Sequence, residues 1–263
     1  MKLLQIPVCP FSQRLHILLT LKGEGDALPT EVVDITKPRD PEFLAKTNGS
    51  TALPVLEVEG KGILRESLVL MEFLDAVVGE KKIARDDPFE HGVENLMIQA
   101  YGSPLAGAGY GMVLNQDEAK RGQCEEKLLG VYKGLNDFLT QHNPDGTFLF
   151  DEFGYAEAAF TPLFQRFWFL EYYDGFAIPE SEEFARFKTW HDACVSHPSA
   201  QQTSKEEIVK LYYDYALGCG NGRLPEGRSV SSFAFEPHWS TRPYPPPTKY
   251  ASSPVSDADL GLL

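Results

Sequence analysis

A change of hydrophobic period near residue 79 constrains the fold of this chain more than any other feature. Before that point, short strand-like runs alternate with helix-like runs. Beyond the charged stretch at residues 79–88, which has the character of a linker, the period is helical almost throughout. The sequence therefore predicts a small α/β domain over residues 1–79, followed by an all-helical domain over residues 89–217.

The α/β region is predicted to contain three or four strands and three helices. The expected elements are a strand at residues 3–6, a helix that begins at Pro10 and ends at Lys22, a strand at 31–35, a short helix capped by Asp40, a strand at 52–58, a turn at 59–62, and a helix that opens at residues 66–67. A strand–helix–strand unit followed by a hairpin and a helix is typical of a layered α/β structure.

Two segments of the helical region have an unusual composition. One is rich in glycine and proline, which weaken a helix, and the other is rich in aromatic residues, which favour a buried helix. Five residues from Gly102 to Gly111 are glycine or proline, at a cost of about 1 kcal/mol for each glycine and about 3 kcal/mol for proline in an exposed helix. We therefore expect a kink or break in the helix predicted from Glu90 to Asn115. Residues 153–173 are predicted as one aromatic core helix despite Pro162, and further helices are predicted at 118–142, from Ser181, and at 204–216.

The chain changes character again near its end. Residues 218–263 lack a helical period and contain seven prolines, with many serines and several aromatic residues. We expect a tail without a core of its own, either disordered or wrapped on the surface, on which Phe233, Phe235, Trp239 and Tyr244 could dock.

The amino-acid composition excludes some classes of function but does not identify one. The chain has 263 residues, 43% hydrophobic and 24% charged, which is enough for one large domain or two small ones. A net charge of −14 argues against nucleic acid or an anionic membrane as the main partner. The four cysteines have no metal-ligand spacing, and no signal peptide or membrane span is evident. We therefore expect a cytoplasmic protein with no metal.

The first candidate for chemistry is the hexapeptide Cys9-Pro10-Phe11-Ser12-Gln13-Arg14, between the first strand and the first helix. Proline suits the first helical position, so Cys9 should lie at the helix N-terminus, where the helix dipole favours an anion. A thiol there should ionise more readily than a free thiol, and the thiolate is the nucleophile. A lone cysteine is more often a buried apolar residue, so this hexapeptide alone leaves both interpretations open.

The second candidate is Leu53-Pro54 at the start of the third predicted strand. Proline is disfavoured in a central strand because it donates no hydrogen bond. A cis bond between Leu53 and Pro54 is one hypothesis that explains it, although trans is the commoner state.

Taken together, these motifs resemble the cytosolic glutathione transferases, and within them the cysteine-type branch with its omega, lambda and dehydroascorbate reductase classes. The resemblance spans residues 3–217 and rests on the hexapeptide at 9–14, on Leu-Pro-Val-Leu at 53–56 and on Glu-Ser-Leu at 66–68, in the family's order. It implies a thioredoxin-like N-terminal domain and an all-helical C-terminal domain.

The resemblance also implies a role for each matching position. Cys9 would be the catalytic nucleophile, and Phe11, Leu53, cis-Pro54, Glu66 and Ser67 would bind glutathione as co-substrate. Tyr110, Trp168 and Tyr212 or Tyr213 would line the site of a small-molecule or glutathionylated substrate. Arg39 or Lys37 would bind the glycyl carboxylate, because Asp40 stands where omega members have lysine. The implied protein is a monomer or homodimer.

The activity implied is glutathione-dependent thiol transfer or reduction through a mixed disulfide at Cys9. It covers deglutathionylation, reduction of dehydroascorbate and reductive removal of glutathione from adducts. The alternative is a non-catalytic protein of the same fold, either a ligandin-like carrier or a relative of the chloride intracellular channels, whose hexapeptide is similar. Those relatives usually lack the Glu-Ser pair, so Glu66 and Ser67 favour the enzyme.

Overall fold

The computed structural model describes residues 1–220, 223–250 and 255–263. Its first part is a four-stranded sheet with three helices, and the part from Pro88 to Ala216 is mainly helical, as predicted. The elements are β1 (Lys2–Gln5), α1 (Pro10–Lys22), β2 (Thr30–Val32), α2 (Pro41–Lys46), β3 (Val55–Val58), β4 (Gly62–Arg65), α3 (Ser67–Val77), α4 (Pro88–Leu114), α5 (Arg121–His142), α6 (Tyr155–Arg166), α7 (Trp168–Asp174), α8 (Glu182–Ser196), α9 (Lys205–Leu211) and α10 (Tyr213–Ala216).

The sheet has the order β2-β1-β3-β4, with β1 and β2 parallel and the other pairs antiparallel. Leu3 in β1 pairs with Leu56 in β3, and both side chains are completely buried. The strand predicted at 52–58 begins only at Val55, after the proline, because proline cannot donate to the ladder. The strand predicted at 31–35 is limited to Thr30–Val32.

Helix α1 lies at the centre of the molecule and carries the hexapeptide. It begins at Pro10 and ends at Lys22, as predicted, and is followed by Gly23, whose φ of 77° is left-handed and therefore suits glycine. Its side chains are buried on nearly every face, including the polar Ser12, Gln13 and Arg14, because it packs against both α3 and α6. It is therefore in contact with both parts of the chain.

Helix α4 corrects the prediction of a break between residues 102 and 111. Asp87 caps it through hydrogen bonds from the Phe89 and Glu90 backbone N–H groups, and it runs unbroken past Pro104 to Leu114. One of its glycines has a packing reason: a Cβ at Gly109 would lie 2.1 Å from the ring of Phe167. Tertiary contacts here outweigh helix propensity.

Two predicted helices are each divided in the structure. The aromatic segment predicted as one helix ends at Arg166 and resumes at Trp168 after Phe167, with Pro162 inside α6. The segment 204–216 is likewise divided at Tyr212. Most of the aromatic residues in these segments are buried in the core.

The described part of the tail packs on the helical domain, so wrapping rather than disorder is the correct alternative there. Phe233, Leu260 and Leu262 are buried among the helices. The Lys249 Nζ donates to the carbonyl oxygens of Met112 (2.6 Å) and Val113 (3.0 Å) at the end of α4. None of the helices in the described ranges combines the length and the apolar character needed to cross a bilayer.

Candidate active site

Cys9 is the residue that precedes helix α1, with extended backbone angles of −73° and 125°. Its carbonyl oxygen accepts the hydrogen bond of the Gln13 N–H (3.0 Å), so it starts the helical ladder. The side chain is partly buried. The sulfur is therefore held at the end of a helix where unpaired N–H groups and the dipole favour negative charge, as the sequence predicts.

The Leu53–Pro54 segment lies directly beside this sulfur. The Cys9 thiol is 4.0 Å from the carbonyl oxygen of Leu53, a long hydrogen bond. The Leu53–Pro54 peptide bond is cis, which confirms the hypothesis drawn from the sequence. The antiparallel pairing of β1 with β3 brings the two segments together, because Cys9 follows β1 and Pro54 precedes β3.

Glu66 and Ser67 occupy the start of α3. Glu66 has a φ of 67° and is exposed, while Ser67 is the first residue of the helix and is buried. A positive φ is uncommon for a residue with a side chain, and such conformations cluster at functional sites. The start of an eleven-residue helix also favours an anionic group.

Arg14 connects these features, and it was not among the predicted site residues. Its Nη1 donates to the Ser67 Oγ (3.0 Å) and its Nε to the Ala159 carbonyl oxygen (2.8 Å). The guanidinium also lies 5.1 Å from the centroid of the Phe11 ring, a cation–π distance. Burial lowers the pKa of Arg14 to about 10, and charge on Cys9 acts in the opposite direction. Arg14 therefore stays cationic near pH 7, close to Cys9 and Ser67.

One of the predicted aromatic residues, Tyr212, contacts the carbonyl group of Val8, the residue before Cys9. The Tyr212 hydroxyl donates to the Val8 carbonyl oxygen (2.9 Å), and the Arg166 Nε donates to the same oxygen (2.7 Å). The Tyr110 hydroxyl is 3.5 Å from that of Tyr212. Tyr110 and Tyr212 are thus brought together one residue from Cys9.

Trp168 and Arg39 are not joined to this cluster by the contacts of the described residues. Trp168 is partly buried at the start of α7, outside the ring contacts that link Tyr110 to Tyr212. Arg39 is partly buried in the loop before α2, where its Nη1 donates weakly to the Asp34 carbonyl oxygen (3.5 Å). Its Nε is buried and has no hydrogen-bond partner among the described residues. Lys37 is exposed and forms an ion pair with Asp34.

A cleft of about 400 Å³ separates the start of α1 and α3 from the middle of α4. Its walls are formed by Phe11, Arg14, Leu68, Ile98, Gln99, Gly102, Ser103 and Ala106. A cleft between domains with both apolar walls and a few polar groups is the usual form of a small-molecule site. The Phe11 and Arg14 side chains connect it to the Cys9 end of α1.

Comparison with known proteins shows which proteins the chain resembles in sequence. Residues 3–82 match the family described as "Glutathione S-transferase, N-terminal domain". A probable glutathione transferase omega-2 from Caenorhabditis elegans is 27% identical over 224 residues, which cover 81% of this chain and 85% of that relative. The similarity to glutathione transferases thus covers the sheet-bearing part of the chain through the family model and most of the chain through this relative.

Solved structures of glutathione transferases agree with this chain in fold. The omega 3C enzyme from Trametes versicolor has a TM-score of 0.65 at 20% identity and covers 78% of this chain and 89% of its own. A rice glutathione S-transferase, solved in complex with glutathione, has a TM-score of 0.64 at 21% identity, covering 78% and 93%. The thioredoxin-like sheet followed by helices matches the glutathione transferase fold, and the sequence relatives of this chain include omega-class members.

Sequence reasoning missed two charged residues of this candidate site. Arg14 stands within the hexapeptide but was considered only as part of the motif. Arg166 stands between Phe164 and Phe167 in an aromatic run. The signal that could have identified Arg166 is its place in an apolar segment predicted to be core. A charged side chain is almost never fully buried unless it has a partner or a function there.

Proposed function

We propose that this protein is a glutathione-dependent thiol transferase or reductase in which Cys9 forms a mixed disulfide with glutathione. The observation that carries the proposal is the position of the Cys9 thiol, at the N-terminus of α1 and 4.0 Å from the carbonyl oxygen that precedes cis-Pro54. This arrangement offers a nucleophile and an exposed strand-like backbone for a thiol peptide at the same place.

Glutathione binding is assigned to the domain of residues 1–79. The Leu53 backbone would pair with the cysteinyl unit in the manner of an added strand. Ser67 at the start of α3 would hold the α-carboxylate of the γ-glutamyl end, and Glu66 its ammonium group. The buried, unpartnered Nε of Arg39 is a suitable donor for the glycyl carboxylate. Phe11 would pack beside the peptide.

The first step is a thiol–disulfide exchange. The Cys9 thiolate attacks the glutathione sulfur of a glutathionylated substrate, so that a new S–S bond forms to Cys9 while the original one breaks. The substrate sulfur leaves as a thiolate and takes a proton from water. The second substrate would enter the cleft of about 400 Å³, near Phe11 and Arg14.

The second step needs another thiol, because Ser12 occupies the position where a resolving cysteine would stand. A second glutathione thiolate attacks the glutathione sulfur of the mixed disulfide, which releases the Cys9 thiolate and forms glutathione disulfide. Dehydroascorbate reduction and reductive removal of glutathione from adducts would use the same sulfur. The omega-class relative supports the transferase class, and these finer activities are part of the proposal.

The test compares wild type with Cys9→Ser, using glutathione with hydroxyethyl disulfide or dehydroascorbate. We expect turnover by wild type, loss of at least about a hundred-fold in Cys9→Ser, and a glutathione adduct on Cys9 by intact mass and peptide mapping. Cys124→Ser is the matched control, because Cys124 is also partly buried but lies on α5. Equal turnover by wild type and Cys9→Ser, or none by either, would leave a non-catalytic carrier as the better description.

A further inference from the structure

A short stretch of the tail is fixed on helices α9 and α10 by hydrogen bonds. The Asp214 carboxylate accepts from the Ser231 hydroxyl (2.8 Å) and from the Ser232 N–H (2.9 Å). The Ser232 hydroxyl donates to the Leu211 carbonyl oxygen (2.8 Å), and its carbonyl oxygen accepts from the Arg242 guanidinium (2.9 Å). All five residues are buried. This stretch of the tail is therefore held in one position on the helical domain.

Phe233 is the next residue of this stretch, and its ring packs against an aromatic cluster of the helical domain. The ring is 5% exposed, and its centroid lies 4.8 Å from that of Tyr212 and 5.5 Å from that of Tyr215. Both pairs are edge-to-face, a favoured arrangement of aromatic rings. Tyr110 and Phe169 contact the Tyr212 ring as well, at 6.3 Å and 5.4 Å. Phe233 is thus the contribution of the tail to the packing of Tyr212.

Tyr212 connects Phe233 to the residue before the thiol. Its hydroxyl donates to the Val8 carbonyl oxygen (2.9 Å). The N–H of the same peptide group belongs to Cys9 and donates to the Ile6 carbonyl oxygen (3.0 Å). The peptide group that joins Val8 to Cys9 is therefore held at both ends. Because this group precedes the first residue of α1, its orientation sets where the sulfur lies relative to the helix N-terminus.

We propose that the tail positions the Cys9 thiol, because Phe233 holds the ring of Tyr212 and so keeps its hydroxyl on the Val8 carbonyl oxygen. Phe233 is a positioning residue, which acts through Tyr212 and touches no reacting atom. The Arg166 Nε donates to the same oxygen (2.7 Å), so loss of the tail contact weakens the hold on this peptide group without abolishing it. The consequence for turnover rests on the proposed function, but the order at Cys9 does not.

Hydrogen exchange tests the proposal without glutathione. Peptides that cover residues 5–14 are followed by hydrogen–deuterium exchange mass spectrometry in the full-length chain, with helix α5 as the internal reference. We expect Phe233→Ala to speed exchange in these peptides, relative to α5, by about two- to ten-fold, because the net effect of one lost hydrogen bond is of that size. Tyr212→Phe, which keeps the ring and removes only the hydroxyl, should have the same effect.

Two more variants sharpen this comparison. Phe233→Leu fills part of the space, so it should speed exchange less than Phe233→Ala, and it carries the comparison if Phe233→Ala fails to fold. Phe235→Ala is the matched control, because Phe235 is in the same stretch of the tail, is partly buried, and has no aromatic ring contact within the part of the chain that the structure describes. It should leave residues 5–14 unchanged. Unchanged exchange in the Phe233 variants overturns the proposal, and so does an equal acceleration in α5, which a purely structural role would produce.

A double-variant cycle tests whether the effect passes through the Tyr212 hydroxyl. Iodoacetamide alkylates Cys9: the thiolate forms a C–S bond to the methylene carbon and iodide leaves. We expect Phe233→Ala to lower this rate at pH 7 by about two- to ten-fold, because the sulfur is less well aligned with the helix N-terminus. In the Tyr212→Phe background the same change should have little further effect. Equal fold-changes in the two backgrounds would exclude Tyr212 as the connection and overturn the proposal.

The outcome is independent of the fate of the proposed function. A protein in which Phe233→Ala loosens residues 5–14, but which does not turn over hydroxyethyl disulfide, has the positioning without the enzyme activity. A protein that turns over the disulfide, and in which Phe233→Ala changes nothing at Cys9, has the activity without the positioning.

Discussion

Replacing Gly109 with alanine gives a sharp test of how α4 accommodates its glycines. A Cβ at this position would lie 2.1 Å from two carbon atoms of the Phe167 ring, whereas carbon atoms in contact are about 3.5–4.0 Å apart. The ring would have to move by roughly 1.5 Å. It is 4% exposed and packs near Phe169, with a centroid distance of 5.9 Å, so little space is open to it.

The expected cost follows from two opposing contributions. Overpacking a well-filled core costs about 1–3 kcal/mol, and more where backbone must shift. Alanine gains about 1 kcal/mol over glycine in helix propensity. The difference is a net cost of up to about 2 kcal/mol, so we expect Gly109→Ala to lower the free energy of unfolding by up to that amount, measured by urea unfolding with far-ultraviolet circular dichroism.

Gly107→Ala is the matched control, because Gly107 lies on the same helix, is exposed, and would have no atom within 4 Å of an added Cβ. It should raise the free energy of unfolding by up to about 1 kcal/mol. If the two variants have equal stability, the Phe167 ring moves aside without a loss of folding free energy. The packing explanation for Gly109 is then wrong.

Two further predictions concern the buried charges that hold the tail. Burial acts to raise the pKa of Asp257, but hydrogen bonds from Ser229 and Arg228 outweigh it and lower the pKa to about 2, against 3.8 ordinarily. The ionised carboxylate therefore stabilises the fold by about 2 kcal/mol above about pH 4, and this stabilisation is lost as the pH falls towards 2. The difference in free energy of unfolding between wild type and Asp257→Asn, measured by urea unfolding, should decrease by that amount between pH 4 and pH 2. Lys249→Met leaves the carboxylate of Asp174, 2.9 Å from Nζ, buried without its cation. It should cost about 3–5 kcal/mol, of which the double variant with Asp174→Asn recovers at least half; a strictly additive double variant would contradict the pairing.

Much of the fold could be predicted because the signals are local. Pro10 and Asp40 mark helix starts through their own backbone and side-chain chemistry, and both helices begin where predicted. The unbroken course of α4 was not predictable, because the contact that justifies Gly109 comes from Phe167, far along the chain. The division of the aromatic segment at Phe167 likewise has no local proline or glycine to mark it.

In the candidate site, too, residues with a local sequence signal could be predicted, and residues that depend on distant contacts could not. Cys9 and Leu53 each carry a local signal, and sheet pairing brings them together. Arg14 acquires its significance only from Ser67, and Arg166 only from Val8, both through contacts between distant segments. Sequence patterns report the faces of helices and strands, but not which buried polar groups meet across them.

The central position of α1 has a consequence for how this molecule folds. Gln13 donates to Gln165 (2.6 Å) and to Gln202 (3.2 Å), and Arg14 donates to the Ala159 carbonyl oxygen, so that buried polar side chains of the first domain find their partners in the second. These bonds form only where the two parts meet, because in the separated parts the same groups would be exposed to water. We therefore expect the helical part of the chain to help fix the start of α1, and with it the position of the Cys9 thiol.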